Sequence, residues 1–146
     1  MACGQSYDLN EKHQFYFDLA SRGYSDFKYL GIYKGKSVKY IGLVENIIEA
    51  DWDDTNGLKV KSSKQPITKG QEQRLIVAIR ESSEKGWGVA NDHRFFLLTD
   101  FTKTDFKKTS PGGIFRVRYF NLEAVLGKVP EEIQQVAEQL KTRTWE

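Results

Sequence analysis

The spacing of apolar residues changes several times along the chain, and each change marks an element. After Asp8-Leu-Asn-Glu11, a start resembling a capping box, Phe15, Tyr16, Leu19 and Ala20 fall at helical spacing until Arg22-Gly23. This predicts a helix over about residues 9–22, while the alternation of Phe15, Phe17 and Leu19 supports a competing strand from Gln14 to Leu19. Phe27-Lys-Tyr-Leu-Gly-Ile-Tyr33 and Val38-Lys-Tyr-Ile-Gly-Leu-Val44 are rich in aromatic and β-branched residues and flank the turn signal Lys34-Gly-Lys-Ser37, so they predict a β-hairpin. Its second strand is expected to run through Asn46-Ile-Ile48 until Asp51-Trp-Asp-Asp54 and Asn56-Gly57 break it. Extended structure resumes at Leu58-Lys-Val-Lys61.

Thr68-Lys-Gly-Gln71 is a capping box that opens a helix carrying Leu75, Ile76, Ala78 and Ile79 and closing near Lys85-Gly86. The unbroken apolar run His93-Arg-Phe-Phe-Leu-Leu98 predicts a buried strand, and Thr99 to Gly113 reads as a polar loop. In the next predicted strand, Ile114 to Phe120, Ile114, Arg116 and Arg118 alternate with Phe115, Val117 and Tyr119. Leu122 to Leu126 reads as a short helix. Pro130 at a first helical position, Glu131 and Glu132 in the first turn, and Ile133, Val136, Ala137 and Leu140 at amphipathic spacing predict a last helix over about residues 130–142. This order predicts an α+β fold in a single domain spanning residues 1–146: a small mixed, mostly antiparallel β-barrel with flanking helices.

Composition narrows the picture. Of 146 residues, 39% are hydrophobic and 13% aromatic, enough for a core and too many for a disordered chain. Twenty-two Lys and Arg against 20 Asp and Glu leave +2, so only clustering could create a basic face. The single cysteine, Cys3, cannot form an internal disulfide, and neither a long apolar run nor a leader pattern follows Met1. A cytoplasmic protein without a membrane partner is the expectation.

Gly31-Ile-Tyr33 and Tyr40-Ile-Gly42 together resemble the signature of the GIY-YIG nucleases, which implies a metal-dependent enzyme using both tyrosines, an arginine and a glutamate. The triplets stand only six residues apart, and no arginine follows until Arg74, so the residue that would stabilise developing phosphate charge is out of place. Glu45, Glu49, Asp51, Asp53 and Asp54 could hold magnesium, but the next strand, Leu58-Lys-Val-Lys61, lacks the acid that a restriction-type site needs. His13, His93 and Cys3 have no zinc spacing, and no serine sits in a nucleophile elbow. No catalytic residue, metal or cofactor is expected.

Thr102 to Gly113 gathers Lys103, Lys107 and Lys108, three threonines, Ser110 and a glycine pair, with Arg116 and Arg118 following. Five cations against Asp105 between Lys103 and Arg118 make a local basic patch suited to phosphate, although a charged loop of this kind also serves as a plain solubilising connection. His93-Arg94 and Trp87, set between two glycines, add the aromatic and cationic pairing that single-stranded or flipped-base binding uses, and Trp52 in its acidic turn is of the same kind. The candidate interface is therefore Tyr40, Trp52, Trp87, His93, Arg94, Lys107, Lys108, Thr109, Ser110, Arg116 and Arg118.

The run from Phe27 to Ile48, the later helix, His93 to Leu98, and Arg118-Tyr-Phe-Asn-Leu122 resemble small prokaryotic PUA-like domains, the group that includes EVE and ASCH modules. The resemblance covers residues 27–126, leaving 9–22 and 130–142 as flanking helices. It implies a small β-barrel that recognises DNA or RNA, often through a modified or extruded base in an aromatic-lined pocket, and an association with restriction and defence systems. A protein-interaction subunit of a defence complex is the other class to weigh.

Overall fold

The computed structural model describes residues 1–114 and 116–146. In chain order its elements are α1 (Tyr7–His13), β1 (Phe15–Leu19), β2 (Tyr29–Lys34), β3 (Ser37–Asp53), β4 (Gly57–Ser63), α2 (Lys69–Glu84), β5 (His93–Lys108), α3 (Leu122–Leu126), α4 (Ile133–Leu140) and β6 (Thr144–Trp145). The structure is α+β, and all its strand pairs are antiparallel except the short parallel pairing of β6 with β5. Strand order is β1-β5-β3-β2, with β4 also on β3 and β6 on β5. No pairing joins β1 to β2 among the described residues, and the sheet is not closed.

The predicted hairpin is present. Gly35 and Lys36 both take positive φ, 60° and 62°, the backbone that a two-residue turn needs to match strand twist. Beyond the turn, β3 pairs with β5 from Ser37↔Lys107 to Ala50↔His93. These long strands form a ribbon with two differently furnished ends: β2 and β6 flank it near the hairpin turn, while β4 and β1 flank it at the far end. Three register shifts between β3 and β5, at Val38/Tyr40, Ile41/Leu43 and Val44/Asn46, interrupt the ladder and bend it.

Each end has its own helix. The Thr68 side chain accepts from Gln71 N–H while Gln71 reaches back to Thr68, a reciprocal cap that starts α2 at the predicted place. Leu75, Ala78 and Ile79 of α2 then pack on Ile48, Phe95 and Leu97 at the far end, and each large fully buried side chain contributes about 1.5–3 kcal/mol. At the hairpin end, Ile133, Val136, Ala137 and Leu140 of α4 cover Tyr33, Ile41, Phe106 and Trp145. Buried Thr104 ties the helix to β5 by donating to the Ala137 carbonyl at 2.7 Å. A third cluster, including Cys3, Tyr16, Leu30, Ile32, Ile47 and Phe96, uses the alternate positions of the same strands, so the sheet is packed on both faces.

Four expectations need correction. The first helix ends at His13, where Gln14 turns left-handed (φ 53°), and residues 15–19 form β1 against residues 93–97. The competing strand pattern prevails because β5 offers an edge, and the Arg74 guanidinium takes the freed carbonyls of His13 and Gln14 at 3.1 and 2.6 Å. The loop expected from Thr99 is strand as far as Lys108, since Thr102 and Phe106 pair with Ile41 and Val38 of β3 while Phe101 and Thr104 add further bulky and β-branched side chains. Residues 116–120 carry no strand, and Phe115 lies outside the described residues. That segment is held by individual bonds instead: Ala2 N–H to the Arg116 carbonyl at 2.8 Å, and Ser25 N–H to the Tyr119 hydroxyl at 2.9 Å. Finally, α4 starts at Ile133 behind Glu132, later than Pro130. The terminal segments are integral to the packing, because β1 and β6 lie in the sheet and α4 covers one end of it. Among the described residues no helix is long and apolar enough to cross a membrane.

Candidate nucleic-acid interface

The eleven residues singled out from the sequence fall into separate groups. Trp52, Trp87, His93 and Arg94 belong to the α2 end. Both tryptophans are half-buried against the α2 cluster, and the Trp87 ring is engaged edge to face by Phe17 at 5.4 Å. Arg94 is committed to structure: it pairs with Glu49 at 2.8 Å, donates to the carbonyls of Ala20 (2.9 Å) and Arg22, and lies over Tyr24 at 4.7 Å. His93 bonds through Nδ1 to the Asn91 carbonyl at 2.7 Å.

Trp87 and His93 line a cleft of about 400 Å³ beside β1, together with Asp18 and Arg22. Arg116 reaches the same aspartate: Asp18 faces Arg22 at 2.8 Å and Arg116 at 3.0 Å. Burial pushes the Asp18 carboxyl up, but hydrogen bonds from Arg116, the Leu19 N–H and Arg22 outweigh it and hold the group below the usual carboxylate range. Arg116 is thus engaged by an aspartate that it shares with Arg22, where a free phosphate contact was expected.

Lys108, Thr109, Ser110 and Arg118 gather around Trp145, an arrangement that sequence spacing could not show. Lys108 donates to the carbonyls of Ser110 and Pro111, both at 3.0 Å, and sits 5.8 Å from the Trp145 ring. Thr109 N–H donates to the Trp145 carbonyl at 2.7 Å. Arg118 stacks over Trp145 at 5.4 Å and Phe120 at 5.5 Å, and donates to the Glu146 carbonyl at 3.2 Å. Lysine 108 is spent on capping its own loop. Arg118 pairs with no Asp or Glu side chain among the described residues.

Tyr40 and Lys107 sit on a different surface, the half-exposed sheet face near the hairpin turn that borders the third cluster. Tyr40 of β3 stacks on Phe101 of β5 with centroids 4.6 Å apart and planes 8° from parallel. Tyr7 of α1 approaches Tyr40 at 6.4 Å, and Lys34 lies 4.9 Å over the Tyr7 ring. Strand alternation puts Lys103, Asp105 and Lys107 on the same face as Phe101, and the Lys39 contact with Asp105 at 3.7 Å brings that lysine alongside. Asp105 also accepts from Ser37 at 2.5 Å and pairs with Lys107 at 3.4 Å; the serine bond, opposed by burial and supported by the lysines, lowers its pKa. Burial and the neighbouring Glu11 carboxylate push the Tyr40 hydroxyl up, so it stays protonated and able to donate. Lys34, Lys39, Lys103 and Lys107 against Asp8, Glu11 and Asp105 make four positive charges to three negative, a net +1 on one half-exposed aromatic face.

Of this face, Tyr7, Lys34, Lys39 and Phe101 were missed from sequence. The available signal was the period of two in Phe101, Lys103, Asp105 and Lys107, obscured because the segment reads as a polar loop. Chemically, the face offers a flat stacked ring pair with ammonium groups beside it, which suits an unstacked base followed by its phosphate.

The nuclease alternative lacks its geometry. Gly31 and Ile41 face each other across the hairpin, but Tyr33 packs into the α4 cluster and Tyr40 into the third cluster, so the two tyrosines do not share a site. Both glycines have packing reasons. A Cβ on Gly31 would lie 2.7 Å from Val38 Cγ1, and one on Gly42 would lie 2.9 Å from Leu98 Cβ. Arg74 is occupied by main-chain carbonyls, including Leu98 at 2.7 Å, and by Glu45 at 3.4 Å. The acids are likewise dispersed, Glu49 to Arg94 and Asp51 to Lys61, while Asp53 accepts from the N–H groups of its own turn. Among the described residues no three His, Cys, Asp or Glu side chains converge as metal ligands. Comparison with family models, curated proteins and solved structures finds no match for the chain.

Proposed function

We propose that the chain is a nucleic-acid-binding module, related to PUA-like domains, whose interface is the sheet face around Tyr40 and Phe101. The observation that carries this reading is the parallel Tyr40–Phe101 pair bordered by Lys34, Lys39, Lys103 and Lys107. A base stacking on such a ring gains about 1–3 kcal/mol, and the lysines beside it meet the phosphate that follows. A half-exposed stacked pair favours single-stranded DNA or RNA, since a duplex hides its base faces. An extruded base clamped between Trp52 or Trp87 and Tyr40 has no support in this arrangement, because the tryptophans pack at the opposite end of the ribbon. Bending of β3 and β5 at their register shifts is the device by which barrel-like sheets curl, and it supports the PUA-like relationship.

The test is anisotropy titration of labelled single- and double-stranded DNA and RNA at two salt concentrations. Single strands should bind in a salt-dependent way. Replacing Lys39, Lys103 and Lys107 by alanine should reduce the slope of log affinity against log salt by about 2, from roughly 0.7 per phosphate contact. Tyr40→Ala should weaken binding about tenfold or more at fixed salt. Lys108→Ala and Arg116→Ala, at residues already engaged with Ser110 and Asp18, should change little. Absence of binding at low salt, or binding indifferent to Tyr40 and the three lysines, would remove the proposal.

A further inference from the structure

A half-open cavity of about 650 Å³ lies between β2, α4 and the segment 117–120, within the size range of small-molecule sites. It shares no residue with the sheet face described above. Its walls are aromatic and aliphatic: Phe27, Tyr29, Phe106, Tyr119 and Phe120 supply rings, and Leu140 of α4 contributes to the rest. The rings are set at angles to one another, Phe106 to Phe120 at 5.2 Å and 65°, Phe27 to Tyr119 at 6.1 Å and 60°, so they present both faces and edges to the space between them.

Charge at the rim is lopsided. Arg118 and Lys28 line the cavity, Arg118 held in place by stacking on Phe120 and Trp145, and Lys28 poised 5.2 Å over the Tyr29 ring. Asp26 is the acid there, and it is paired outward with Lys64 at 2.8 Å, which lowers its pKa and neutralises its charge. One more polar group is unused: the Tyr29 hydroxyl is shielded from solvent and has no hydrogen-bond partner. A stacked guanidinium keeps its in-plane N–H groups directed away from the ring, which is how arginine meets a carboxylate or phosphate.

We infer that this cavity binds a flat aromatic molecule carrying one anionic group, with the ring among Phe27, Tyr29, Tyr119 and Phe120 and the anion on Arg118. The ring finds stacking and edge contacts, and the anion meets a cation that pairs with no Asp or Glu side chain among the described residues and is held by a 3.2 Å bond to the Glu146 main-chain oxygen. A free aromatic carboxylate and a nucleotide share this chemistry, and the two sources are separable by experiment.

The probes are anilinonaphthalene sulfonate, read by fluorescence on the folded full chain, with naphthoate, the neutral naphthalene methanol and a nucleoside monophosphate as competitors. The expected result is saturable one-to-one binding, displaced by naphthoate at least about tenfold more effectively than by naphthalene methanol, the margin of a charge-assisted hydrogen bond. Displacement by the monophosphate as well would extend the same class to nucleotides; displacement by naphthoate alone would confine it to free aromatic acids. Arg118→Ala, at an exposed position, should remove the preference for naphthoate, and Leu122→Trp, which fills the cavity from the partly exposed α3, should abolish binding. Native near-ultraviolet circular dichroism in both variants separates these effects from unfolding. Unsaturable binding, equal competition by the neutral alcohol, or binding that survives both variants would overturn the inference. Failure of strand binding to the sheet face leaves this outcome unaffected, because the probes do not depend on Tyr40 or its lysines.

Discussion

The two ends of the β3–β5 ribbon are built from the same strands and finished differently. At the α2 end, Leu75, Ile79, Phe95 and Leu97 are fully buried, and the nearby cations Arg74, Arg94 and Lys61 all have carboxylate partners. At the α4 end, packing leaves a cavity of about 650 Å³ against the cleft of about 400 Å³ at the α2 end, the Tyr29 and Tyr33 hydroxyls have no partner, and Lys34, Lys103 and Arg118 pair with no Asp or Glu side chain among the described residues. Buried polar groups are ordinarily satisfied, and among the described residues two of the unsatisfied ones, the Tyr29 and Tyr33 hydroxyls, lie at the α4 end against one, Ser82, in α2. On the proposed reading, one end carries stability and the other carries binding surface.

Deleting equivalent bulk from each helix tests this division most severely. Leu75→Ala should cost about 4 kcal/mol, because the site is closed on all sides and cannot collapse. Leu140→Ala should cost nearer to about 2 kcal/mol, because that leucine already borders the cavity and loses fewer contacts. Urea denaturation of both variants decides it: equal losses would mean that the α4 end is packed as tightly as the α2 end.

The arginines give the next largest contrast. Arg94→Ala removes a mostly buried guanidinium from Glu49 and two carbonyls, and should cost roughly 2–3 kcal/mol. Arg118→Ala removes an exposed cation from two aromatic rings and should cost less than about 1 kcal/mol. If Arg118→Ala proved the more destabilising, Arg118 would be a structural staple and a poor candidate for meeting a ligand.

A smaller effect with the opposite sign is expected at Tyr33. Its hydroxyl is buried and unpartnered, so Tyr33→Phe should be neutral or stabilising by up to about 1 kcal/mol. A loss of stability would reveal a partner for the hydroxyl, and with it a tighter α4 end.

The two ends were also unequally legible in the sequence. At the α2 end, local chemistry and pattern agree: the Thr68 capping box, the periodic Leu75, Ala78 and Ile79, and the apolar run Phe95 to Leu98 all form what they predict. At the α4 end, the hairpin turn and the amphipathic Ile133, Val136, Ala137 and Leu140 were readable, but the pairing of Phe101 to Lys108 with β3 is a long-range event that polar residues disguise. Arg94 and Arg116 looked available because their partners, Glu49 and Asp18, lie 45 and 98 residues away in sequence. Lys107 and Tyr40 of the proposed face were singled out from the sequence, whereas Phe101 was not, since stacking on Tyr40 depends on a register that three shifts define. Charge and aromatic content are visible one residue at a time. Whether a cation is already neutralised depends on the tertiary fold.

Acid should expose the smallest difference between the ends. At the α2 end, Glu81 receives Lys12 and His13, each at 2.7 Å; the Lys12 hydrogen bond, against some burial, leads the effects that pull its pKa down to about 2. A carboxylate lowered in the folded state stabilises the protein fully above its ordinary unfolded value near 4.5, and that contribution disappears as pH falls through about 2. Glu81→Gln should therefore flatten the decline of stability across that window, measured as the urea midpoint against pH. Asp105 at the α4 end is lowered in the same sense, but by a serine hydroxyl and lysines at 3.4 and 3.7 Å, so Asp105→Asn should flatten the curve less. Equal or greater flattening by Asp105→Asn would show that the lysines of the sheet face are already satisfied by their own aspartate. It would then be the proposed interface, rather than the α1–α2 contact, that charge pairing holds shut.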